Sequence, residues 1–423
     1  MDKRLLHTPE GVRDIYNSEC ARKLVMENQI HQVFSIFGYH DIQTPTFEFF
    51  DIFAKERGSV ESKNMYKFFD REGYTLVLRP DMTPAIARCV AKYYMDEELP
   101  VRLCYNGNTF INNSEHQGKL KEITQMGCEY VGDNSVDADA EMIAMAVNCL
   151  KASGLKDFQV EIGQVDFFKG LLEEANLSDE MEVRLREYIE IKNFFGASAL
   201  LDTVEISDEL KQAFVKLPDL FGNVEILQEA KTLTKNETAL SAIERLLELY
   251  EILKEYKVED YVSFDLGMLS NYQYYTGIIF KGYTYGSGDA VATGGRYDHL
   301  LSQFGKNAPA IGFGIVVDSL MVALSRQKIE VPVKANNTMV LYQPEVRKFA
   351  VELAEVLRKD GEKVEMICKK ADVLVEEYKN YGKRDKCGGI LYLENEEDIH
   401  IYDLKKGTCQ TAKVSVLLGK EEK

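Results

Sequence analysis

Three small groups of residues in this chain have the types and spacing to hold a ligand. Arg79, Asp81 and Thr83 lie within Leu78-Arg79-Pro80-Asp81-Met82-Thr83. Gln125 and Glu129 are four apart in a strand-like run, so both face the same side of the strand. Tyr274 and Tyr275 are adjacent and open another strand-like run. Carboxylates gathered with an amide and phenols in one cleft suit a cationic amine that also carries a polar ring. Pattern alone favours the plainer reading, in which the same residues sit at the ends of separate strands and never meet. Other chemistry is hard to find. The histidines show no HExxH or other metal spacing, and no GxSxG elbow or Walker loop is present. Gly294-Gly295 and Gly312-Phe313-Gly314 do not complete a dinucleotide-binding GxGxxG between a strand and a helix. Neither a metal nor a cofactor is expected.

The elements that must position these groups can be read from hydrophobic period and turn chemistry. Residues Asn17 to Phe37 have helical spacing and stop at Gly38. Tyr39 to Thr46 reads as extended, and Tyr74 to Leu78 as a strand. Next comes a helix that Thr83 can cap, with Pro84 in its first position. Val101 to Phe110 and Glu122 to Val131 read as strands joined by a long polar loop over Asn112 to Gly118. Ser135 to Leu150 reads as an amphipathic helix closed near Gly154, and Phe158 to Ile162 as a strand. Residues 167–259 are rich in Leu and Glu and poor in strand signals. There Ile243, Leu246, Leu247, Tyr250 and Leu253 form an apolar stripe, read as core in preference to a partner-binding face. Strands resume over Tyr261 to Leu266 and Tyr274 to Tyr283, followed by a helix around Asp318 to Ser325. A linker over Lys328 to Asn337 leads into alternating strands and helices, including a helix over Ala371 to Tyr378.

The expected architecture is therefore α+β. A core over 1–327 carries antiparallel hairpins flanked by helices, with a helical insertion over about 167–259. A small α/β domain spans 338–423. Bulk properties narrow the function further. The formal charge of −18 argues against a broad nucleic-acid surface, which needs clustered Lys and Arg. The eight cysteines form no CxxC pair and read as scattered thiols of a reducing compartment. The opening Met1-Asp2-Lys3-Arg4 has no apolar leader, and no apolar run reaches membrane-spanning length. A cytoplasmic location with no membrane association is the expectation.

Taken in order, these segments resemble histidyl-tRNA synthetases over nearly the whole chain. Thr8-Pro9-Glu10-Gly11-Val12-Arg13-Asp14 is similar to the family's opening, and Gly38-Tyr39 through Thr44-Pro45 to class II motif 1, which builds a dimer interface. The strip from Leu78 to Thr83 resembles the start of the amino-acid pocket. Tyr105, Gly107, Phe110, Gly118 and Gln125-x-Gly127-Cys128-Glu129 trace motif 2. Tyr274-Tyr275-Thr276-Gly277 resembles the histidine-specific signature. Gly294-Gly295-Arg296-Tyr297-Asp298 and Pro309-Ala310-x-Gly312-Phe313 lead towards motif 3. The resemblance implies a class II synthetase-like antiparallel sheet with an anticodon-binding-like C-terminal domain. It also implies a histidine-like pocket of Asp81, Thr83, Gln125, Glu129, Tyr274 and Tyr275. Arg79, Lys119, Lys121 and Arg296 would leave a residual basic cleft.

The departures from that pattern concern adenylation. Arginines that hold ATP phosphates and stabilise developing charge are replaced by Ile111, by Ser270 within Ser270-Asn271-Tyr272-Gln273, and by Ser319 within Asp318-Ser319-Leu320; an acid of motif 2 is Asn113. Loss of one such donor costs roughly 10²- to 10³-fold in rate. A retained amino-acid pocket beside a dismantled ATP site resembles the synthetase-like regulatory subunits of ATP phosphoribosyltransferase. For that family the resemblance implies no catalysis, a short-form catalytic subunit as partner, and a role in histidine biosynthesis with histidine as effector. It also implies a homodimer inside a hetero-oligomer. Many members are shorter, with little anticodon-like domain, and the domain retained here keeps two other readings in play. These are a divergent histidyl-tRNA synthetase and a tRNA- or histidine-binding paralogue.

Overall fold

The computed structural model describes residues 6–54, 60–113, 119–269, 274–333 and 337–414. The chain divides into two compact units, Met1–Val331 and Pro332–Lys423.

The first unit is organised by a nine-stranded sheet. In spatial order its strands are His40–Asp41, Val101–Phe110, Glu122–Val131, Ala310–Val316, Ala292–Arg296, Ile278–Thr284, Phe158–Gln164, Val262–Asp265 and Phe221–Gly222. Neighbours are antiparallel except for His40–Asp41 beside Val101–Phe110 and Phe158–Gln164 beside Val262–Asp265. The long hairpin runs in register from Val101 opposite Val131 to Phe110 opposite Glu122. Alternate residues enter two cores: Leu103 and Tyr105 pack with Met82, Ile86 and Tyr297, whereas Cys104 and Cys128 face the helices on the other side.

Helix Asn17–Ile36 buries Met26, Ile30, Val33 and Phe34, a single stripe at helical spacing. It ends at Gly38, whose φ of 82° only glycine adopts at no cost. Helix Val136–Ala152 starts where the Ser135 hydroxyl accepts the Ala138 N–H. The amphipathic reading of this helix is corrected by the structure, because it is buried on nearly every side. Its outward face is covered by the long helix Glu237–Glu255, whose Arg245 binds Asp139.

The insertion consists of helices Val165–Ala175, Asp179–Glu190, Phe194–Leu201, Asp208–Lys216, Glu225–Lys231 and Glu237–Glu255, with Phe221–Gly222 added at the sheet edge. In the last helix Ile243, Leu246 and Leu253 are fully buried, and Leu247 and Tyr250 pack against the same core. The apolar stripe is thus core.

A second, three-stranded sheet has Thr75–Leu78 between Phe47–Phe49 and Lys67–Phe69. The two outer strands escaped the sequence reading because each is three residues long and its aromatics are exposed. The strand expected from Tyr274 begins only at Ile278, so both tyrosines precede it.

In the second unit the sheet order is Lys363–Cys368, Asn337–Tyr342, Gly389–Leu393, Asp398–Asp403 and Thr408–Lys413; the first three strands are parallel and the last two antiparallel. Alternate residues of Asn337–Tyr342 feed separate clusters, Val340 with Ala350 and Leu353, and Met339 and Leu341 with Tyr378 and Ile390. The helix expected over Ala371 to Tyr378 is Val375–Arg384. The residues before it form a turn in which the Tyr378 hydroxyl accepts the Lys370 N–H at 2.9 Å. Among the described residues no helix is long and apolar enough to cross a membrane.

Candidate functional site

Strand period alone places Gln125, Gly127 and Glu129 on one face of Glu122–Val131. On the adjacent strand Gly312 lies opposite Glu129, and Gly314 opposite Gly127, two residues along from Gln125. A Cβ on Gly312 would collide with the Glu129 carboxylate, and one on Gly314 with the Gln125 amide. The glycines therefore let two long polar side chains lie across the sheet. Tyr105, from the strand on the other side, fills the space above Gly127.

All six residues of the expected histidine-like pocket, Asp81, Thr83, Gln125, Glu129, Tyr274 and Tyr275, line one cavity, together with Tyr105, Thr293, Tyr297 and Phe313. Glu129 is 1% exposed. Its Oε1 accepts the Thr83 hydroxyl at 2.7 Å, and its Oε2 the Tyr297 hydroxyl at 2.5 Å. Asp81 accepts the Tyr274 hydroxyl at 3.1 Å on Oδ2 and the Thr83 N–H at 3.2 Å on Oδ1. The expectation that Thr83 caps helix Thr83–Tyr93 is thus corrected. Met82 holds the cap position without a side-chain bond, Asp81 receives the N–H, and the Thr83 hydroxyl is turned to Glu129. Tyr274 stands edge-on to both Tyr275 and Tyr297, with ring centroids 5.0 and 5.9 Å away.

No lysine or arginine is among the lining residues. Burial therefore dominates the electrostatics and pushes the Glu129 carboxyl up to about 8, with Asp81 adding to the rise and the two hydroxyl donors opposing it. Burial likewise raises the phenols of Tyr105 and Tyr297 well above 10, so both stay protonated donors. The cavity volume is about 20 Å³, room for roughly one water. An amino acid fits a space of that size only if lining side chains shift.

The residual basic cleft is not assembled. Arg296 is 2% exposed and paired with Asp139 at 2.6 Å, with Asp298 and the carbonyls of Asp133 and Ser135 completing its bonds. A buried guanidinium requires such partners. Arg79 donates to the carbonyls of Thr44, Pro45 and Asn108 and knits the surrounding turns together. It lines a separate cavity of about 660 Å³ with Lys23, Glu27, Asn106, Glu122 and Thr124. Lys119 pairs with Asp289 at the surface, and the Lys121 side chain lies along Gly11.

Of the residues expected to replace synthetase arginines, Ile111 is half-buried with its N–H donated to the Lys121 carbonyl, and Ser319 is half-buried on helix Val317–Arg326. Asp318 binds Lys23 at 3.2 Å and the Thr124 N–H at 2.6 Å. Ser270 to Gln273 and Gly118 lie outside the described residues. Tyr297 and Thr293 were missed as pocket residues. Tyr297 had a signal, since it follows Gly-Gly-Arg in a segment already singled out; Thr293 had none.

Comparison with known proteins agrees with this fold. The family model for histidyl-tRNA synthetase matches residues 11–320. The ATP phosphoribosyltransferase regulatory subunit of Acetivibrio thermocellus is 42% identical over 98% of each chain. That of Ruminiclostridium cellulolyticum is 40% identical over the full length of both. Among solved structures, an ATP phosphoribosyltransferase regulatory subunit/histidyl-tRNA synthetase from Bacillus halodurans is 32% identical, with a TM-score of 0.83 over 92% of this chain and 99% of that one. The histidyl-tRNA synthetase of Nostoc shares the fold at 19% identity, with a TM-score of 0.82 over 98% of both chains. The chain belongs to the ATP phosphoribosyltransferase regulatory subunits, a family built on the histidyl-tRNA synthetase fold.

Proposed function

We propose that this chain performs no chemistry itself and confers histidine-responsive control on a short-form catalytic subunit of ATP phosphoribosyltransferase, in the first step of histidine biosynthesis. One observation carries the reading. Two buried carboxylates, Asp81 and Glu129, share a pocket with phenols and an amide and no lining cation. An α-ammonium group supplies the charge that such a pocket lacks, and the hydroxyls and Gln125 offer partners for an imidazole. The replacements at Ile111, Ser270 and Ser319 support the absence of adenylation, because Ile offers no donor and Ser no positive charge to a phosphate. For histidine to regulate, it must bind the active and inactive states of the complex unequally.

A homodimer within the larger assembly fits the exposed aromatics of the three-stranded sheet. Phe47, Phe49, Phe69 and Tyr74 are all more than half exposed, a surface that a monomer in water rarely presents. A cytoplasmic location follows from the same biosynthetic role.

Histidine titration against the wild type and Glu129→Ala tests the pocket; binding in the wild type that is lost in the variant is expected, and unchanged binding overturns the assignment. Histidine-dependent exchange of pyrophosphate into ATP should be absent. Exchange at a synthetase-like rate would favour the divergent-synthetase reading instead.

A further inference from the structure

Three residues that sequence spacing does not connect meet on the far side of the hairpin from the amino-acid pocket. His31 lies near the end of helix Asn17–Ile36. After Gly38 the chain turns into the two-residue strand His40–Asp41, where Asp41 pairs in parallel with Cys104. His31 Nε2 is 2.7 Å from Asp41 Oδ1, and Cys104 Sγ is 3.6 Å from the same oxygen. One donor atom from each residue lies within 4.8 Å of the other two.

We propose that His31, Asp41 and Cys104 form a binding site for a zinc-class divalent cation. The argument rests on donor types and spacing. Around a tetrahedral zinc, with Zn–S near 2.3 Å and Zn–N or Zn–O near 2.0–2.1 Å, neighbouring donors stand roughly 3.3–3.7 Å apart. The Cys104–Asp41 distance already matches. The His31–Asp41 distance must open by about half an ångström on that geometry, and the His31 side chain is 39% exposed and can move. A set of one thiolate, one imidazole and one carboxylate suits zinc or cobalt and disfavours magnesium and calcium, which take oxygen.

The arrangement also has a direction. Cys104 is fully buried and forms the floor, while the Asp41 side chain is 70% exposed. The fourth coordination position therefore faces solvent and is filled by water. On binding, the Cys104 thiol loses its proton to solvent and its sulfur becomes a metal ligand; no electron is transferred. The bound ion would staple the short edge strand to both the helix and the hairpin.

The experiment uses the full chain, stripped with a chelator and titrated with Co²⁺, followed by Zn²⁺ in competition with a chromogenic chelator. The expected result is one equivalent bound with a thiolate-to-cobalt charge-transfer band that is absent in Cys104→Ser. His31→Gln should weaken zinc at least about tenfold, the lower limit seen even for second-layer partners of metal ligands. His31 is at the surface, so this variant reports even if Cys104→Ser fails to fold. No thiolate band at saturating cobalt overturns the site, as does a band that persists in Cys104→Ser. Equal zinc affinity in the wild type and His31→Gln overturns it too, and leaves His31 and Asp41 as a surface ion pair with adventitious metal only.

Discussion

Replacing Glu129 by Gln should make the protein more stable above neutral pH while abolishing amine binding. In the folded chain burial pushes the carboxyl from 4.5 up to about 8. A raised folded-state value means that Glu129 does not penalise folding below pH 4.5, where it is protonated in both states. Between 4.5 and 8 the unfolded chain releases the proton and the folded chain keeps it, so stability falls as pH rises. At about 1.36 kcal/mol per pH unit the full difference is worth roughly 5 kcal/mol above pH 8. Water entry relaxes a buried charge, which makes this an upper bound. Gln keeps the shape, accepting from Thr83 through its oxygen and donating to the Tyr297 oxygen through its nitrogen, yet cannot ionise. Urea unfolding of both proteins from pH 5 to 9 should give curves that diverge with pH, with Glu129→Gln ahead by about 2–5 kcal/mol at pH 9. The same linkage predicts that histidine affinity rises between pH 7 and 8, by at most about tenfold, because a bound ammonium requires the ionised carboxylate. A stability difference that is constant across this pH range would refute the reasoning, since it would mean that Glu129 titrates as an ordinary exposed acid.

Three other perturbations probe separate parts of the structure. Asp139 is fully buried between Arg296 and Arg245, each with a nitrogen at 2.6 Å. Asp139→Asn should cost about 3–5 kcal/mol in denaturant unfolding by leaving buried Arg296 with only the longer Asp298 contact, at 3.3 Å, as counter-charge. Arg245→Gln, at a site 23% exposed, should cost only about 1–2 kcal/mol. Gly312→Ala forces a methyl into the Glu129 carboxylate; it should cost about 1–3 kcal/mol and remove histidine binding by calorimetry. Phe49→Glu with Phe69→Asp should shift the chain from dimer to monomer in light scattering, with unfolding changed by no more than about 0.5 kcal/mol.

The pocket was legible where chemistry and period coincided. Gln125 and Glu129 share a face through strand period alone, and the other four residues joined them through motif order. What the sequence hid was the role of burial. Arg79 and Arg296 look like free cations in a string of letters, yet each sits in the interior and spends its donors on carbonyls or on Asp139. Helix Val136–Ala152 looked amphipathic because Asp137, Asp139 and Glu141 break its apolar run. The second arginine that neutralises Asp139 lies more than a hundred residues away, in the insertion. Short elements were equally hidden: Phe47–Phe49 and Lys67–Phe69 owe their pairing to Thr75–Leu78, and the hairpin of Asp398–Asp403 with Thr408–Lys413 has an exposed second strand with no apolar alternation. Gly312 and Gly314, over which the Glu129 and Gln125 side chains lie, acquire meaning only once the two strands are in register.

The most direct test is phosphoribosyl-ATP formation by the short catalytic subunit from the same source, measured with and without this chain. The account predicts activity that depends on this chain, falls when histidine is added, and loses that histidine response in Glu129→Ala. Equal rates with and without the chain, both proteins being folded, would contradict it.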